Sequence, residues 1–500
     1  MKEQRSSYRQ ILQATSLFGG VQIFLIIIAV VRSKFIALLL GPAGMGVVGL
    51  LMSTTGLMAG LTNFGLGTSG VKNITEAKST NDEDKISTTI VVVRRLVWFT
   101  GILGAVLTLI FSPLLSQFTF GNKDYTVAFI WLSVTLLFGQ LSSGELVLLQ
   151  GLRKLQQLAK ANLYGSLVGL VITIPLYYML GVDGIVPVII ITAVVSFLFS
   201  WIYAKKLKTK KVNVTKEIMV TEGKSMMVLG FMISLSSLVA LVAAYLLRVF
   251  INHTGNIADV GFYSAGFTII NTYVGMIFTA MGIDFYPRLS NVAKDDSQCR
   301  ELINQQSEIA LLILAPILMA FMVFVNWAVI LLYSTQFLSI IGMVYWATLG
   351  IFFKAVSWAI AFIFLAKGEG KLFFWNEFAG SIYTLGFSLL GYYLGGLTGL
   401  GIAFFITYIL YLIQVYTITN IKYGFTFSKS FKIIFIIQFL LALGGFALVN
   451  FTGQAITYIF GLLLIAISGW YSYMELEKRI GLNEIVQNFS RKFKQKNNLP

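Results

Sequence analysis

Apolar residues run along this chain in blocks of about 20, the length that crosses about 30 Å of hydrocarbon as an α-helix, from Leu17 to Met474. The pattern predicts about fourteen transmembrane helices, at 16–40, 44–70, 90–112, 126–150, 159–180, 184–204, 225–251, 259–287, 306–333, 338–366, 372–394, 398–420, 431–450 and 454–474. No polar block between them is long enough to fold by itself. The expected fold class is therefore an all-α integral membrane protein.

The charged positions give the helices a direction. Cations mark every second connection: the Met1–Arg9 leader, Lys72–Lys85, Arg153 and Lys154, Lys205–Lys216, Lys294–Arg300, Lys367–Lys371, Lys422–Lys432 and Lys478–Lys496. The intervening connections, near Pro42, Asn122, Val182, Thr254, Thr335, Gly396 and Thr452, carry almost none besides Lys123. That alternation is the positive-inside pattern, so both termini are expected in the cytoplasm and the number of crossings is even. Lys2, Arg5 and Arg9 precede an apolar run too long for a signal peptide and without a small-residue cleavage site, so the run reads as the first span. Glu477–Lys496 mixes Ile480, Ile485, Val486 and Phe489 with charges, which fits a short amphipathic helix on the inner leaflet and equally a solvated tail.

Composition excludes whole classes of function. Of 500 residues, 57% are hydrophobic and 12% charged, and the mean hydropathy is +0.81. A soluble enzyme has about twice that charged share. The net charge of +16 would suit nucleic acid or anionic lipid, but its placement in alternate connections makes it mainly a topological label, and no nucleic-acid partner is expected. With Cys299 and His253 each alone of its kind, no disulfide forms within the chain and neither a thiolate cluster nor zinc is expected. GxSxG, P-loop and HExxH motifs are lacking, as is any long outer loop that could carry glycosyl transfer, so the chain reads as a non-enzyme without a cofactor.

The chain also resembles itself at an offset of about 215 residues. Arg32 and Lys34 precede Gly41-Pro-Ala-Gly44-Met-Gly46 and a glycine-rich second span; Arg248 precedes a polar turn, Val260-Gly261-Phe-Tyr-Ser-Ala-Gly266, and a span ending Asp284-Phe-Tyr-Pro-Arg288. Gln150-Gly151-Leu-Arg153-Lys154 is matched by Ala366-Lys367-Gly368-Glu-Gly370-Lys371. Parallel repeats predict two six-helix lobes with a cavity between them, which is transporter architecture. The expected organisation is an N-terminal lobe at 1–204, a basic cytoplasmic linker at 205–222, a C-terminal lobe at 223–420, an additional hairpin at 421–474 and a cytoplasmic tail at 475–500.

Charges inside the apolar runs carry the chemistry, because a cation at mid-membrane costs about 2.5–3.5 kcal/mol and calls for a cavity or a partner. Lys354 lies deep in the tenth span; Arg32 and Lys34 lie near the outer end of the first and Arg248 near that of the seventh. At i and i+2, Arg32 and Lys34 point to different sides of a helix. Arg248 is open to pairing with Asp259 or snorkelling outward. Glu145 and Asp284 are candidates for ion coupling, or neutralise Arg153 and Arg288. A cavity with guanidinium and ammonium groups favours an anionic ligand, and arginine forks suit phosphate oxygens.

The run Arg32-Ser-Lys34-Phe-Ile-Ala-Leu-Leu-Leu-Gly41-Pro-Ala-Gly-Met-Gly46, Leu247-Arg248 followed by Asp259-Val-Gly261, Tyr286-Pro287-Arg288-Leu-Ser290, and Lys354 before Ala366-Lys367 resemble the Wzx-type flippases of the multidrug/oligosaccharidyl-lipid/polysaccharide exporter superfamily over roughly residues 10–420. That resemblance implies export of undecaprenyl-diphosphate-linked oligosaccharide, such as O-antigen, across the bacterial inner membrane by alternating access of two lobes, with proton or sodium antiport. It also implies cavity cations at Lys34, Arg248 and Lys354, with Arg32 an addition. The extra hairpin departs from twelve-span members and is similar to that of fourteen-span lipid II flippases. Expected partners are the lipid-linked glycan, the bilayer, and polysaccharide polymerase or chain-length machinery. A multidrug or small-solute antiporter, a membrane polymerase or ligase, and a structural partner without transport activity remain open as alternatives.

Overall fold

The computed structural model describes residues 21, 24–207, 210, 212, 214–273 and 275–480. The leader, the start of the first span, parts of the basic linker and the tail beyond 480 lie outside the described residues. Every regular element among those described is helical. In chain order they are α1 (residues 24–39), α2 (Gly41–Thr62), α3 (Leu66–Ser79), α4 (Glu83–Phe120), α5 (Thr126–Gly151), α6 (Leu155–Leu180), α7 (Ile185–Ala204), α8 (Lys216–Thr254), α9 (Ile257–Thr268), α10 (Gly275–Asn291), α11 (Asp296–Val323), α12 (Val325–Leu332), α13 (Ile341–Ala366), α14 (Gly370–Tyr423), α15 (Lys429–Phe451) and α16 (Gln454–Ile480).

Four helix starts in the cation-rich connections are capped by short polar side chains. Asp82 accepts from the backbone of Asp84 and Lys85, Thr215 from Ile218, Asp295 from Ser297 and Gln298, and Ser428 from Phe431, each satisfying amides that the first helical turn leaves open. The hydrogen bonds from Gln298 and Ser297 hold the Asp295 carboxyl below the ordinary aspartate range. At the other connections the chain turns on glycine: Gly121 and Gly181 adopt φ of 79° and 55°, a region that a Cβ disfavours. Across the ends of α14, Lys422 and Tyr423 both donate to Glu369, which lowers its carboxyl below the usual range.

Ten segments among the described residues are long and apolar enough to cross a membrane. This differs from the fourteen runs read from the sequence for visible reasons. Leu155–Ala204, 50 residues, doubles back at Gly181 into α6 and α7. The 54 residues of α14 break at Gly395 and Gly396, whose φ of −139° and 55° are non-helical, giving two limbs. The expected span at 259–287 is divided by a π-helical turn, Ile269–Tyr273, into α9 and α10, of 12 and 17 residues.

The chain forms two compact units. The first comprises Met1–Ser264 with Leu331–Gln336, the second Ala265–Ile330 with Phe337–Pro500. In the first, α8 packs on α2, α3 and α4, so the seventh expected span shares its packing with the early helices. The sequence repeat starts near 223, while the packing unit runs on to Ser264. Within this unit the two glycine motifs of the repeat meet: a Cβ on Gly46 would lie 1.8 Å from the Ile257 carbonyl oxygen, and one on Gly261 would lie 2.0 Å from that of Pro42. Only hydrogen allows α2 and α9 to approach so closely.

The second unit is organised on α13, which apart from Lys354 and a few hydroxyls is apolar all round and correspondingly enclosed: Ala355, Val356, Ala359, Ile360 and Phe364 have no accessible surface. It packs on α10, α11, α14 and α15. The C-terminal hairpin, α15 and α16, is fastened to α11 by polar groups. Glu308 accepts from Arg479 Nε at 2.8 Å and from Ser428 Oγ at 3.1 Å, while within the hairpin Gln438 of α15 is hydrogen-bonded to Ser468 and Ser472 of α16. Elsewhere apolar side chains face outward. On α4, Phe99, Ile102, Leu109 and Ile110 are each about half exposed, a surface that only hydrocarbon accommodates.

Gly261→Val should lower the thermal midpoint of the detergent-solubilised protein markedly, by about 1–3 kcal/mol or more of stability, because the added atoms meet backbone. A midpoint equal to wild type would contradict the close crossing.

Candidate functional site

Each unit holds a group of polar side chains at membrane depth. In the first unit, α1, α2, α4, α5, α6 and α7 surround a cavity of about 650 Å³. Its lining among the described residues is unusual for a membrane helix bundle: hydroxyls and amides such as Thr55, Asn63, Gln140, Asn162 and Ser196, one cation, Arg32, and no carboxylate. Thr55, Thr62 and Thr192 donate to carbonyls of their own helices at 2.9, 2.8 and 2.8 Å. With donors used internally, their oxygens remain acceptors for a ligand's hydroxyls. Gln140 donates to Thr100 at 2.9 Å, which fixes the orientation of its amide.

Arg32 supplies the complementary donors. One Nη reaches the Ser166 carbonyl at 3.4 Å, while its Nε is buried and has no partner among the described residues. A buried guanidinium with an unmet N–H is costly unless an acceptor arrives. Glycines on α6 make the space: a Cβ on Gly169 would stand 3.3 Å from Arg32 Nη2 and 3.4 Å from Thr192. Lys34, two residues further on, is half-buried and does not line this cavity, as the helical angle between i and i+2 implies.

Arg248 also belongs to the first unit. Its guanidinium lies 5.4 Å from the centre of the buried Tyr263 ring and donates to the Ala244 carbonyl at 3.0 Å, and its Nε is buried without a partner among the described residues. Beside it, Tyr245 is hydrogen-bonded to Thr119 at 2.8 Å. Asp259, considered as a partner for Arg248, accepts instead from Asn256 at 3.2 Å.

Lys354 is the centre of the second unit's polar group. Its Nζ donates to Asn271 Oδ1 at 2.8 Å and lies 5.2, 5.7 and 6.0 Å from the ring centres of Tyr408, Phe404 and Phe278. Ring faces attract the ammonium without neutralising it. Among the described residues no carboxylate lies within ion-pair distance of it. Asn271 sits in the π-helical turn, whose extra residue re-aims the side chain; such turns recur at functional sites. Sequence reading missed Asn271, since nothing in the amino-acid pattern announces a π-turn.

The two candidate coupling acids are both held by arginines. Glu145 receives two parallel hydrogen bonds from Arg94, Nε at 3.1 Å and Nη2 at 2.9 Å, rather than pairing with Arg153. Asp284 pairs with Arg288 one turn away at 3.3 Å on an exposed face. Another acid, Glu377, lies near the start of the eleventh expected span and was not singled out in the sequence.

The profile of a family described as "Polysaccharide biosynthesis protein" matches residues 35–342. Among solved structures, one described as "Lipid II flippase MurJ, inward closed conformation" superposes with a TM-score of 0.69 at 14% identity, covering 93% of this chain and 99% of that one. An inward-facing multidrug resistance MATE family transporter of the MOP superfamily superposes with a TM-score of 0.68 at 17% identity, covering 80% of this chain and 94% of that one. Comparison with curated proteins returns no match. The fold is thus that of the MOP exporters.

If Glu145 serves to hold Arg94, Glu145→Gln should cost about 1–3 kcal/mol of stability, read as a lowered thermal midpoint, with any ion dependence of transport unchanged. Lost ion dependence at an unchanged midpoint would reverse that assignment.

Proposed function

The chain belongs to the polysaccharide biosynthesis protein family, and from that premise we propose that it is a Wzx-type flippase that carries undecaprenyl-diphosphate-linked oligosaccharide, a surface-polysaccharide repeat unit such as O-antigen, from the cytoplasmic to the outer leaflet of the bacterial inner membrane. The observation that carries this reading is the polar cavity of the first unit, whose lining among the described residues has no acid and has Arg32 as its one cation. A sugar offers many hydroxyl donors and a diphosphate offers acceptors and negative charge; the cavity presents acceptors on its threonines and donors on Arg32. Both halves of the head group find their complement, and about 650 Å³ accommodates sugar rings.

Lys354 adds a second cationic position, unneutralised and flanked by Tyr408, Phe404 and Phe278, whose faces suit sugar rings or an isoprenoid. The polyprenyl tail needs no site of its own, because it remains in lipid while the head group crosses. Transport proceeds by alternating access, driven by an ion gradient. The alternation of cations in the connections supports cytoplasmic termini. A multidrug antiporter for cationic compounds fits less well, since Arg32 and Lys354 repel such cargo.

Reconstituted vesicles test the reading. A labelled lipid-linked oligosaccharide added on one leaflet should become accessible on the other only with the protein present. Arg32→Ala and Lys354→Ala should each slow that transfer about 10- to 100-fold, the loss of a charge-assisted contact, while the protein still inserts. Transfer at the wild-type rate in both variants would reject the proposed cargo contacts.

A further inference from the structure

The turn between α5 and α6 and the turn between α13 and α14 are built alike. In the first, the amide of Arg153 donates to the Gln150 carbonyl at 2.9 Å and that of Lys154 to Leu149 at 2.8 Å; in the second, Gly368 donates to Leu365 at 3.0 Å and Glu369 to Phe364 at 2.8 Å. This shared pattern aligns Leu152-Arg153-Lys154 with Lys367-Gly368-Glu369. Both middle residues are left-handed, with φ of 55° at Arg153 and 73° at Gly368. Glycine takes that conformation freely, whereas a side chain there is strained. An arginine held where glycine is relaxed points to a use for its side chain.

The charges around the two turns differ in the same sense. A lysine closes each junction: Lys367 Nζ donates to the Ala293 carbonyl just past α10 at 2.5 Å, and Lys78 Nζ, near the end of α3, donates to the Leu152 carbonyl at 2.6 Å. In the second unit Lys367 is also paired with Asp296 at 2.7 Å, and Glu369 takes Lys422, so that junction is neutralised. In the first unit Lys78, Arg153 and Lys154 stand together, and among the described residues none of them has a carboxylate within 4 Å. Acids of the adjoining connection are used elsewhere: Glu76 faces Lys72 at 3.7 Å, Asp82 caps α4, and Glu83 and Asp84 take Lys210 at 3.0 and 3.6 Å. Burial, and after it the charges of Arg153 and Lys154, hold the Lys78 ammonium below the ordinary lysine range. An anion relieves cations gathered in this way.

The class of anion follows from α6, which begins at Leu155 directly beyond the turn. Its exposed positions Gln156, Lys160, Tyr164, Leu167 and Val171 fall at helical spacing on one face. The first two are polar; the next three are apolar and about half exposed. A group bound at the cations therefore stands at the head of a stripe suited to hydrocarbon. Free phosphate has no use for such a stripe, and a phospholipid fits both parts. We propose that the junction of α3 with the α5–α6 turn binds an anionic phospholipid, Lys78, Arg153 and Lys154 holding its phosphate and the outward stripe of α6 taking an acyl chain. The alternation of cations along the chain assigns this junction to the cytoplasmic leaflet, where anionic head groups meet basic clusters at helix ends. The lipid phosphate fills in the first unit the place that Asp296 and Glu369 fill in the second. None of this depends on the identity of the cargo.

Full-length protein, stripped of lipid in detergent, is titrated with phosphatidylglycerol while native mass spectrometry counts the lipid retained. Arg153→Gly with Lys154→Gln should weaken binding about 20- to 30-fold, at about fivefold per cation, whereas Lys429→Gln with Lys432→Gln, the same charge change in another cation-rich connection, should leave it within about twofold. Equal losses in the two pairs reduce the effect to general surface charge and overturn the site. Inorganic phosphate that displaces phosphatidylglycerol at comparable concentration overturns the lipid assignment, and phosphatidylethanolamine bound as tightly overturns selection by charge. Arg153→Gly alone should raise the thermal midpoint of the lipid-free protein, because glycine fits a φ of 55°, while shrinking the further rise that phosphatidylglycerol gives the wild type. A lowered midpoint shows that the arginine holds the fold itself and overturns its role toward a ligand.

Discussion

The cost of charge in hydrocarbon organises this molecule. At about 2.5–3.5 kcal/mol for an unaccommodated cation, each charged side chain along a span must have a partner, a polar surrounding or a route to the interface. The structure sorts its charges by these solutions. Arg94 takes Glu145 in a two-bonded pair, and Arg479 takes Glu308 and Glu475, which fastens the C-terminal hairpin to α11. Arg32 and Lys354 take amides, carbonyls or ring faces, which solvate a cation and leave its charge uncompensated. Paired charges hold helices together; the uncompensated ones remain available to an anion.

Backbone constraints decide where those side chains stand. In hydrocarbon every amide must be satisfied within its own helix or by protein nearby, so irregular backbone persists only at defended points. The glycine contact of α2 with α9 lets two backbones touch, and the break at Gly395–Gly396 allows α14 to return beside itself. The π-helical turn at Ile269–Tyr273 delivers Asn271 to Lys354. Gly169 performs a quieter service, leaving beside Thr192 the volume that the Arg32 guanidinium uses.

Part of the candidate site was legible in the sequence. A lone lysine in the middle of an apolar run, as Lys354 is, and an arginine such as Arg32 placed two turns inside a span stand out against hydrophobic neighbours, because few residue types carry so large an insertion cost. At i and i+2, Arg32 and Lys34 point to different sides of their helix, and Arg32 is the one that lines the cavity of the first unit among the described residues. Acids were harder to rank. Glu145 looked like a coupling group and is held by Arg94, from a helix 51 positions away in sequence. Glu377 was not singled out in the sequence, and with Asn376 it is hydrogen-bonded to Tyr411 and Gln414 from the returning limb of α14.

By itself the sequence determined that the chain is helical and membrane-embedded, where it turns, and that cations outnumber acids within its apolar runs, because hydropathy and residue charge are local properties summed along the chain. Tertiary structure alone decided which of those charges are neutralised, that the cavity of the first unit is lined by hydroxyls and one guanidinium, and that α8 packs with the early helices. Those outcomes depend on distances between segments remote in sequence. A hydrogen bond or ion pair acts over about 3–4 Å, and no pattern along one helix reports what the neighbouring helix presents at that range.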